Sequence, residues 1–235
     1  HDHPSRSKLA ALICERFGFY DARDRPQIGN CSKALRDLEQ IHGFTLPSTN
    51  RVARSRTTRR LGQAIDPPVN VPEKAGEVRG LSLILVETDE QGLIWNELMM
   101  REHPRKAGTM VGAQLRYLIG SDHGWLGGFG FASSALRVKD RDQWIGWDRD
   151  VRTQHQFRVV NLSRFLLRPS IECHNLASRC MGMVLRRVAK DFEVRYGYQP
   201  WLLESFVDTV MHSGTCYEAS NWIKVGQTQG RGRND

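Results

Sequence analysis

Two segments near the start of the chain carry apolar residues at the three- and four-residue spacing of amphipathic helices. Residues 5–20 form the first and residues 31–43 the second, which Gly43 ends. The residues expected to face inward are Leu9, Leu12, Ile13 and Phe17, then Ala34, Leu35, Leu38 and Ile41. With a short strand at residues 44–47, this order is compatible with a small, winged-helix-like DNA-binding unit over residues 1–46. A helical cap that packs on the main domain explains the same pattern.

The helical pattern stops between residues 47 and 78, which are predicted to be a linker. Its first half contains five arginines: Arg51, Arg54, Arg56, Arg59 and Arg60. Its second half, AIDPPVNVPEKAGE, is rich in proline and poor in apolar residues. A basic run followed by an extended proline-rich segment suits an arm that binds the DNA backbone without sequence preference. A solvated tether is the alternative.

From residue 79 the pattern changes to alternating strands and helices. Strands are predicted at residues 79–87, 112–121, 124–136, 162–170, 200–208 and 222–230. Helices are predicted at residues 89–102, 148–160, 175–197 and 214–221. The expected fold class is therefore α/β (α+β), with a mixed-sheet domain over residues 79–235 preceded by the small helical unit.

This order of elements resembles the GCN5-related acetyltransferase (GNAT) fold, in which the helix after the fourth strand holds a pyrophosphate with its N-terminal amides. The equivalent junction here is residues 168–179, and it lacks the Arg/Gln-x-x-Gly-x-Gly/Ala pattern of that family. The sequence therefore does not support acyl-CoA as a cofactor, and the cofactor is left unassigned. The junction still offers residues that could bind a phosphate of a cofactor or of DNA: Asn175, Ser178 and Arg179. Helix capping and a surface charge are their alternative roles.

The composition excludes some classes of protein. Apolar residues make up 40% of the 235 residues and charged residues 26%, which is ordinary for a folded protein. No apolar run approaches the roughly 18 residues of a membrane-spanning helix, and the N-terminus lacks the apolar core of a secretory signal. The five cysteines include no Cys-x-x-Cys and fit no common zinc spacing. We therefore expect reduced thiols, a cytoplasmic location, no membrane partner and no metal site.

The positive charge is concentrated near the start of the chain. The formal net charge is +8, and residues 1–62 hold 12 basic and 6 acidic residues. Arginine outnumbers lysine 27 to 7, and its planar fork suits phosphate contacts. A GC-rich genome would also raise the arginine content. The clustering predicts DNA as a partner, bound by Lys33 and Arg36 of the second helix together with the arginines of the linker.

Several blocks of sequence carry a more specific resemblance. They are WNELMMREHPRKAG, VGAQLRYLIGS, RDQWIGWD, NLSRFLLRPS, NLASR, LLESFVD and GTCYEASNWIKVGQTQGRGR. In this order they closely resemble the DruA family of Druantia anti-phage systems, whose members also occur fused to or associated with DDE transposases. The resemblance extends over residues 5–233. The segment from Glu204 to Gly226 is also similar, more distantly, to the C-terminal part of the GNAT-like Mom proteins, which modify phage DNA.

Two carboxylates in these blocks are candidates for a catalytic base. Glu204 and Asp208 end an otherwise apolar predicted strand, and their spacing places both on one face of it. The ends of strands face the ligand crevice in open α/β sheets, and burial there raises the pKa of a carboxylate. The alternative for Glu204 is a buried ion pair with Arg164 or Arg116.

Tyr217 and His103 complete the set of candidate catalytic residues. Tyr217, in the predicted short helix, is a candidate general acid or a ring that stacks on a nucleobase. Its alternative role is to complete the hydrophobic core. His103 precedes Pro104 in a predicted loop, where a histidine has the freedom to reach a site as an acid or base. Its alternative role is that of a solvated surface residue.

These observations leave three functions open. The first is a DNA-associated protein of a defence or mobile-element system, which binds DNA and processes or modifies it. The second is a GNAT-like enzyme that transfers an acyl or aminoacyl group to a nucleobase or a protein. The third is a noncatalytic adaptor that recruits a helicase or a DDE transposase.

Overall fold

The chain folds into two compact units, His1–Thr57 and Thr58–Asp235. The structure, a computed structural model, describes residues 6–20, 25–47, 58–108 and 110–228. Among these residues, no helix is both long enough and apolar enough to cross a membrane.

In its described residues, the first unit consists of two helices, α1 (Arg6–Phe17) and α2 (Ile28–His42), and their connections. The buried residues where these two helices meet are small: Ala10, Cys14 and Cys31. Small side chains let the two helices approach closely, and Gly43 ends α2 in the left-handed conformation (φ 67°), as predicted. The expected inward face is wrong in part, because several of its members are exposed: Leu12, Phe17, Ala34, Leu38 and Ile41. Residues 44–47 form no strand, since Leu46 N donates to the Glu39 carboxylate instead of to another chain segment.

The second unit contains a five-stranded mixed sheet, which confirms the predicted α/β class. Its strands, in sheet order, are β1 (Ser82–Leu85), β2 (Leu115–Ser121), β3 (Gly124–Ser133), β4 (Val159–Leu167) and β5 (Leu202–Glu204). The pairs β1–β2, β2–β3 and β3–β4 are antiparallel, and β5 is parallel to β4. Its helices are α3 (Asp89–Glu102), α4 (Lys139–Ile145), α5 (Arg149–His155), α6 (Leu176–Leu185), α7 (Val188–Tyr196) and α8 (Thr215–Glu218).

Hydrophobic residues cover both faces of this sheet. On one face, α6 and α7 pack on the aromatic side chains of Tyr117, Phe129 and Phe131. On the other face, α3 packs Trp95 against the sheet, and the Trp95 indole donates to the Phe129 carbonyl at 2.9 Å. Burial on both faces explains why β2 and β3 are almost continuously apolar.

Several predicted elements differ from the structure. The helix expected over residues 148–160 ends at His155, and β4 begins already at Val159. The helix expected over residues 175–197 is broken into α6 and α7, because Arg187 leaves the helical region (φ −123°) and donates to the Leu83 carbonyl of β1. The strand expected over residues 200–208 ends at Glu204, after which Ser205 pairs with β4 through its hydroxyl. The strand expected over residues 222–230 is absent from the described part, 222–228, where Gln227 N donates to the Asp140 carboxylate instead of to a neighbouring strand.

Residues 58–78, which the sequence predicts as part of the linker over residues 47–78, belong to the second unit. The Arg168 guanidinium donates to the carbonyls of Ile65 and Asp66, and Val69 N donates to the His123 carbonyl. Proline-rich extended segments leave their carbonyls unpaired, so these oxygens are available to a buried arginine. Residues 48–57 lie outside the described part of the chain.

Candidate functional site

Glu204 lies in a buried ion pair. Its carboxylate accepts from Arg141 Nη1 at 2.9 Å and from Ala135 N at 3.2 Å. Burial raises its pKa, although the neighbouring Arg141 opposes this shift. Its partner is Arg141 of α4 and not Arg164 or Arg116, the two partners considered from the sequence. Both carboxylate oxygens are engaged, so this geometry supports a structural role.

The ring of Tyr217 lies in the hydrophobic core, and its hydroxyl is hydrogen-bonded. Its ring packs edge-on against Trp222, with the ring centres 5.2 Å apart, and lies against the main hydrophobic core. Its hydroxyl accepts from Ser205 Oγ at 3.1 Å. Burial raises the pKa of Tyr217, so the phenol keeps its proton at neutral pH. The contacts fit the core role, and its role as an acid remains a prediction.

Asp208 is exposed and forms a turn. Its carboxylate accepts from Val210 N at 3.0 Å, and its carbonyl accepts from His212 N at 2.9 Å. The strand that was expected to align Asp208 with Glu204 has already ended. Among the described residues, no hydrogen bond or ion pair joins Asp208 to the other three candidate catalytic side chains.

His103 lies at the C-terminal end of α3 in a positively charged environment. Its Nδ1 accepts from Arg105 N at 3.1 Å. Burial and the nearby Arg164, Arg105 and His212 lower the pKa of His103 to about 4. At neutral pH the ring is therefore uncharged and can accept a proton but does not supply one.

Arg164 fixes the loop that carries His103. It is 9% exposed, and its guanidinium donates to the Lys106 and Ser163 carbonyls at 2.7 Å. Burial and the charge of Arg105 lower its pKa. The sequence suggests Arg164 only as a partner of Glu204, because nothing in the local pattern indicates that it reaches back 58 residues along the chain.

We call His103, Arg105, Arg164 and His212 the His103 cluster. In the part of the chain that the structure describes, no carboxylate lies within 4.0 Å of a basic nitrogen of these residues. Arg105 and His212 are exposed, whereas Arg164 is buried. A cationic cluster without internal counter-charges attracts anions.

The three predicted phosphate-binding residues meet in one depression. Asn175, Ser178 and Arg179 line a volume of about 510 Å³ at the start of α6, together with Ala75 and Gly76 among others. Asn175 is left-handed (φ 63°) and its side chain does not cap the helix. Ser178 Oγ donates to the Asn175 carbonyl at 3.1 Å, and Arg179 donates to the Ala75 carbonyl. The structure brings the three residues together, and their binding of phosphate remains a prediction.

The predicted DNA-binding arginines are described only in part. Arg51, Arg54 and Arg56 lie outside the described residues. The Arg59 carbonyl accepts from the Asn96 amide, while its guanidinium lies 3.6 Å from the exposed Asp89. Arg60 lies 3.9 Å from the buried Glu97 of α3. In the first unit, Lys33 and Arg36 are exposed on α2.

No cluster of three or more metal-ligating side chains occurs among the described residues. In the comparison with known families, the family model described as Druantia protein DruA matches residues 31–235, which is most of the chain. No curated protein and no solved structure matches. The likeness to GNAT enzymes and to winged helices therefore remains a prediction.

Proposed function

The chain belongs to the DruA family of Druantia anti-phage defence proteins, and we propose from this that it acts in defence by binding DNA. The observation that carries the proposal is the His103 cluster, a group of basic side chains without a carboxylate partner among the described residues. DNA presents a dense row of phosphates, and its affinity for basic proteins comes largely from such contacts.

The electrostatics of the cluster favour an anion. Arg164 donates from Nε and Nη1 to backbone carbonyls, which hold it in place but leave its charge uncompensated. Because a desolvated charge without a counter-ion is costly, a phosphate next to Arg105 and Arg164 would stabilise the site. Exposed Arg105 and His212 make the cluster accessible from solvent.

The basic side chains at the start of the second unit support the same function. Arg59 is 77% exposed, and its only ion pair among the described residues is a 3.6 Å contact with Asp89, which is 88% exposed. Exposed pairs of this kind contribute little and are easily replaced by a phosphate. Arg60, in contrast, has the buried Glu97 as an ion-pair partner. We therefore expect Arg59 to contribute more to DNA affinity than Arg60.

Fluorescence anisotropy on a short DNA duplex, at several salt concentrations, tests this function. Arg105→Gln and Arg59→Gln should each weaken binding on every sequence and flatten the plot of log affinity against log salt by about 0.9. Arg149→Gln is the matched control, since it removes the same charge from an exposed position on α5. If the wild type does not bind DNA, or if all three variants keep its slope, this function is wrong.

A transferase that acts on a nucleobase or a protein is a second candidate. The depression at the start of α6 favours it, because the start of a helix with an adjacent arginine is suited to a phosphorylated donor. Mass spectrometry of the native purified protein and of DNA from cells that express it would test this function. A bound donor, or a modified nucleoside lost in Arg179→Gln, would support it, and the absence of both would contradict it.

An adaptor that recruits a helicase or transposase is the third candidate. Val210 is 94% exposed and Met211 62%, and both lie at the tip of the turn that begins at Asp208. Exposed apolar side chains of this size are typical of protein-binding surfaces. Val210→Asp should abolish co-elution with such a partner on gel filtration, whereas the Arg149→Gln control should keep it. Equal co-elution of both would exclude this surface.

A further inference from the structure

Arg116 is a half-buried cation on β2, on the sheet face that α3 covers. Its guanidinium lies over the Trp95 ring, 4.9 Å from the ring centre. It donates to the amide oxygens of Asn96 and Gln114, both at 3.3 Å. These neutral contacts orient the planar fork without neutralising its charge.

Nothing charged compensates Arg116 within the described residues. No carboxylate lies within 4.0 Å of its guanidinium, and burial lowers its pKa. A cation that has lost part of its hydration and has no counter-ion is unfavourable unless a ligand supplies the opposite charge. This differs from the buried Arg168 and Arg141, which each pair with a carboxylate at 2.7 Å.

The Arg116 side chain lines a polar depression of about 300 Å³, which we call the Arg116 depression. Its other lining residues are Val86, Gly112, Gln114, Arg195 and Tyr196. Its rim is held in place, because the Tyr196 hydroxyl accepts from Gln114 N and donates to the Gln114 carbonyl, both at 2.8 Å. Arg195 contributes a second guanidinium, whose contact with the exposed Glu87 is 3.9 Å long. Two weakly compensated arginines therefore border one small cavity.

We propose that the Arg116 depression binds a phosphate group through Arg116 and Arg195. A tetrahedral anion offers oxygens to two guanidinium forks at once, whereas a single carboxylate is satisfied by one fork. The volume lies at the small end of ligand pockets, which suits one phosphate and its immediate substituent. The phosphate comes either from a nucleic-acid backbone or from a small phosphorylated molecule. None of the residues involved belongs to the His103 cluster, so the proposal does not depend on that site.

Calorimetric titration of the full chain with three probes tests the proposal. The probes are inorganic phosphate, adenosine monophosphate and a 12-nucleotide single-stranded DNA. Arg116→Gln and Arg195→Gln should each weaken binding of at least one probe by roughly tenfold to a hundredfold, the effect of losing a charge-assisted hydrogen bond. Arg116→Lys keeps the charge but loses the planar fork, so it should bind more weakly than the wild type and more tightly than Arg116→Gln. Arg149→Gln, which is exposed on α5, should bind like the wild type.

The pattern of losses identifies the source of the phosphate. Loss of the mononucleotide with unchanged DNA affinity indicates a small ligand, and loss of DNA affinity indicates the backbone. Arg195 is partly exposed and only weakly paired, so its variant reports on binding even if Arg116→Gln unfolds. The proposal is overturned if the wild type binds none of the probes, or if Arg195→Gln and Arg116→Lys both bind them like Arg149→Gln. Unchanged DNA binding in Arg105→Gln would contradict only the proposal that the His103 cluster binds DNA.

Discussion

Arg116 and Arg164 lie in one row across three strands of the sheet, with Gly130 between them. Arg116 pairs with Gly130 across β2 and β3, and Gly130 pairs with Arg164 across β3 and β4. Burial lowers the pKa of both arginines, and neither has a carboxylate partner among the described residues. The glycine leaves room for the Trp95 ring between them. One face of the sheet thus carries two uncompensated cations separated by an aromatic ring.

The close packing at Gly130 predicts that Gly130→Ala destabilises the second unit. An added Cβ would lie 2.9 Å from Trp95 Cζ2, 3.0 Å from Met110 Sδ and 3.1 Å from Arg164 Cβ. Overpacking a site of this kind costs about 1–3 kcal/mol of unfolding free energy. Urea denaturation measures it. Gly92→Ala in α3 is the control, since its nearest neighbour would be 3.9 Å away, and it should be neutral or stabilising.

The depressed pKa of His103 predicts a loss of stability in mild acid. The ordinary pKa of histidine, near 6.5, applies in the unfolded chain, and the folded value is about 4. The unfolded state therefore binds a proton first as the pH falls, and stability that is complete above pH 6.5 is lost between there and pH 4. Because the ring is only half-buried, we expect the loss of unfolding free energy to be about 1 kcal/mol. This is well below the value that the pKa shift alone would give.

His103→Asn tests this contribution, because the asparagine oxygen can accept from Arg105 N in place of the ring nitrogen. Between pH 7 and pH 4.5, the unfolding free energy of the variant, measured by urea titration, should fall by about 1 kcal/mol less than that of the wild type. His174→Asn, at an exposed position, is the control. Identical pH dependence of the wild type and His103→Asn would contradict the prediction.

Much of the fold could be predicted from local sequence patterns. The α3 helix spans the predicted residues, because Thr88 and Gln91 form a capping box that fixes its start. The pair β2 and β3 also lies where the apolar runs indicate, on either side of a tight turn. The break at Arg187 could not be predicted, since it depends on a bond to Leu83, 104 residues earlier in the chain.

The candidate site was predicted less well, because charged groups are paired by the fold and not by sequence spacing. Glu204 lies 63 residues from Arg141, and no local signal indicates that the two meet. The surplus positive charge near the N-terminus predicts DNA-binding arginines at residues 51–60. It did not reveal Arg116, whose lack of a carboxylate partner is visible only once its neighbours on α3 are placed.

Arg168 is predicted to hold the segment that contains Ile65 and Asp66 on the second unit. It is 5% exposed, pairs with Glu102 at 2.7 Å and donates to both backbone carbonyls of that segment. Removing one partner of a buried ion pair costs about 3–5 kcal/mol. Arg168→Gln should therefore lower the midpoint of urea unfolding and open residues 58–78 to proteases. Cleavage mapped by mass spectrometry would show this, and a digestion pattern equal to that of Arg149→Gln would contradict it.

Tyr217 offers the sharpest separation between a core role and a catalytic one. Its ring contributes to the main hydrophobic core, while its hydroxyl is hydrogen-bonded to Ser205 Oγ. If the ring is what matters, Tyr217→Phe should cost at most about 1 kcal/mol of unfolding free energy, the value of one neutral hydrogen bond. Tyr217→Ala should cost about 3–5 kcal/mol, since it empties the place of an aromatic ring.

Function separates the two roles in the same variants. Tyr217→Phe should keep the DNA affinity of the wild type, because the phenol lies in the core and not in the His103 cluster. If expression of the wild type leaves a modified nucleoside in cellular DNA, the amount in Tyr217→Phe decides the matter. An unchanged amount fits a ring that only packs, whereas its disappearance from a variant of wild-type stability would assign the Tyr217 hydroxyl to the chemistry. Ser205→Ala, which removes the partner of that hydroxyl, provides the matched control for the lost hydrogen bond.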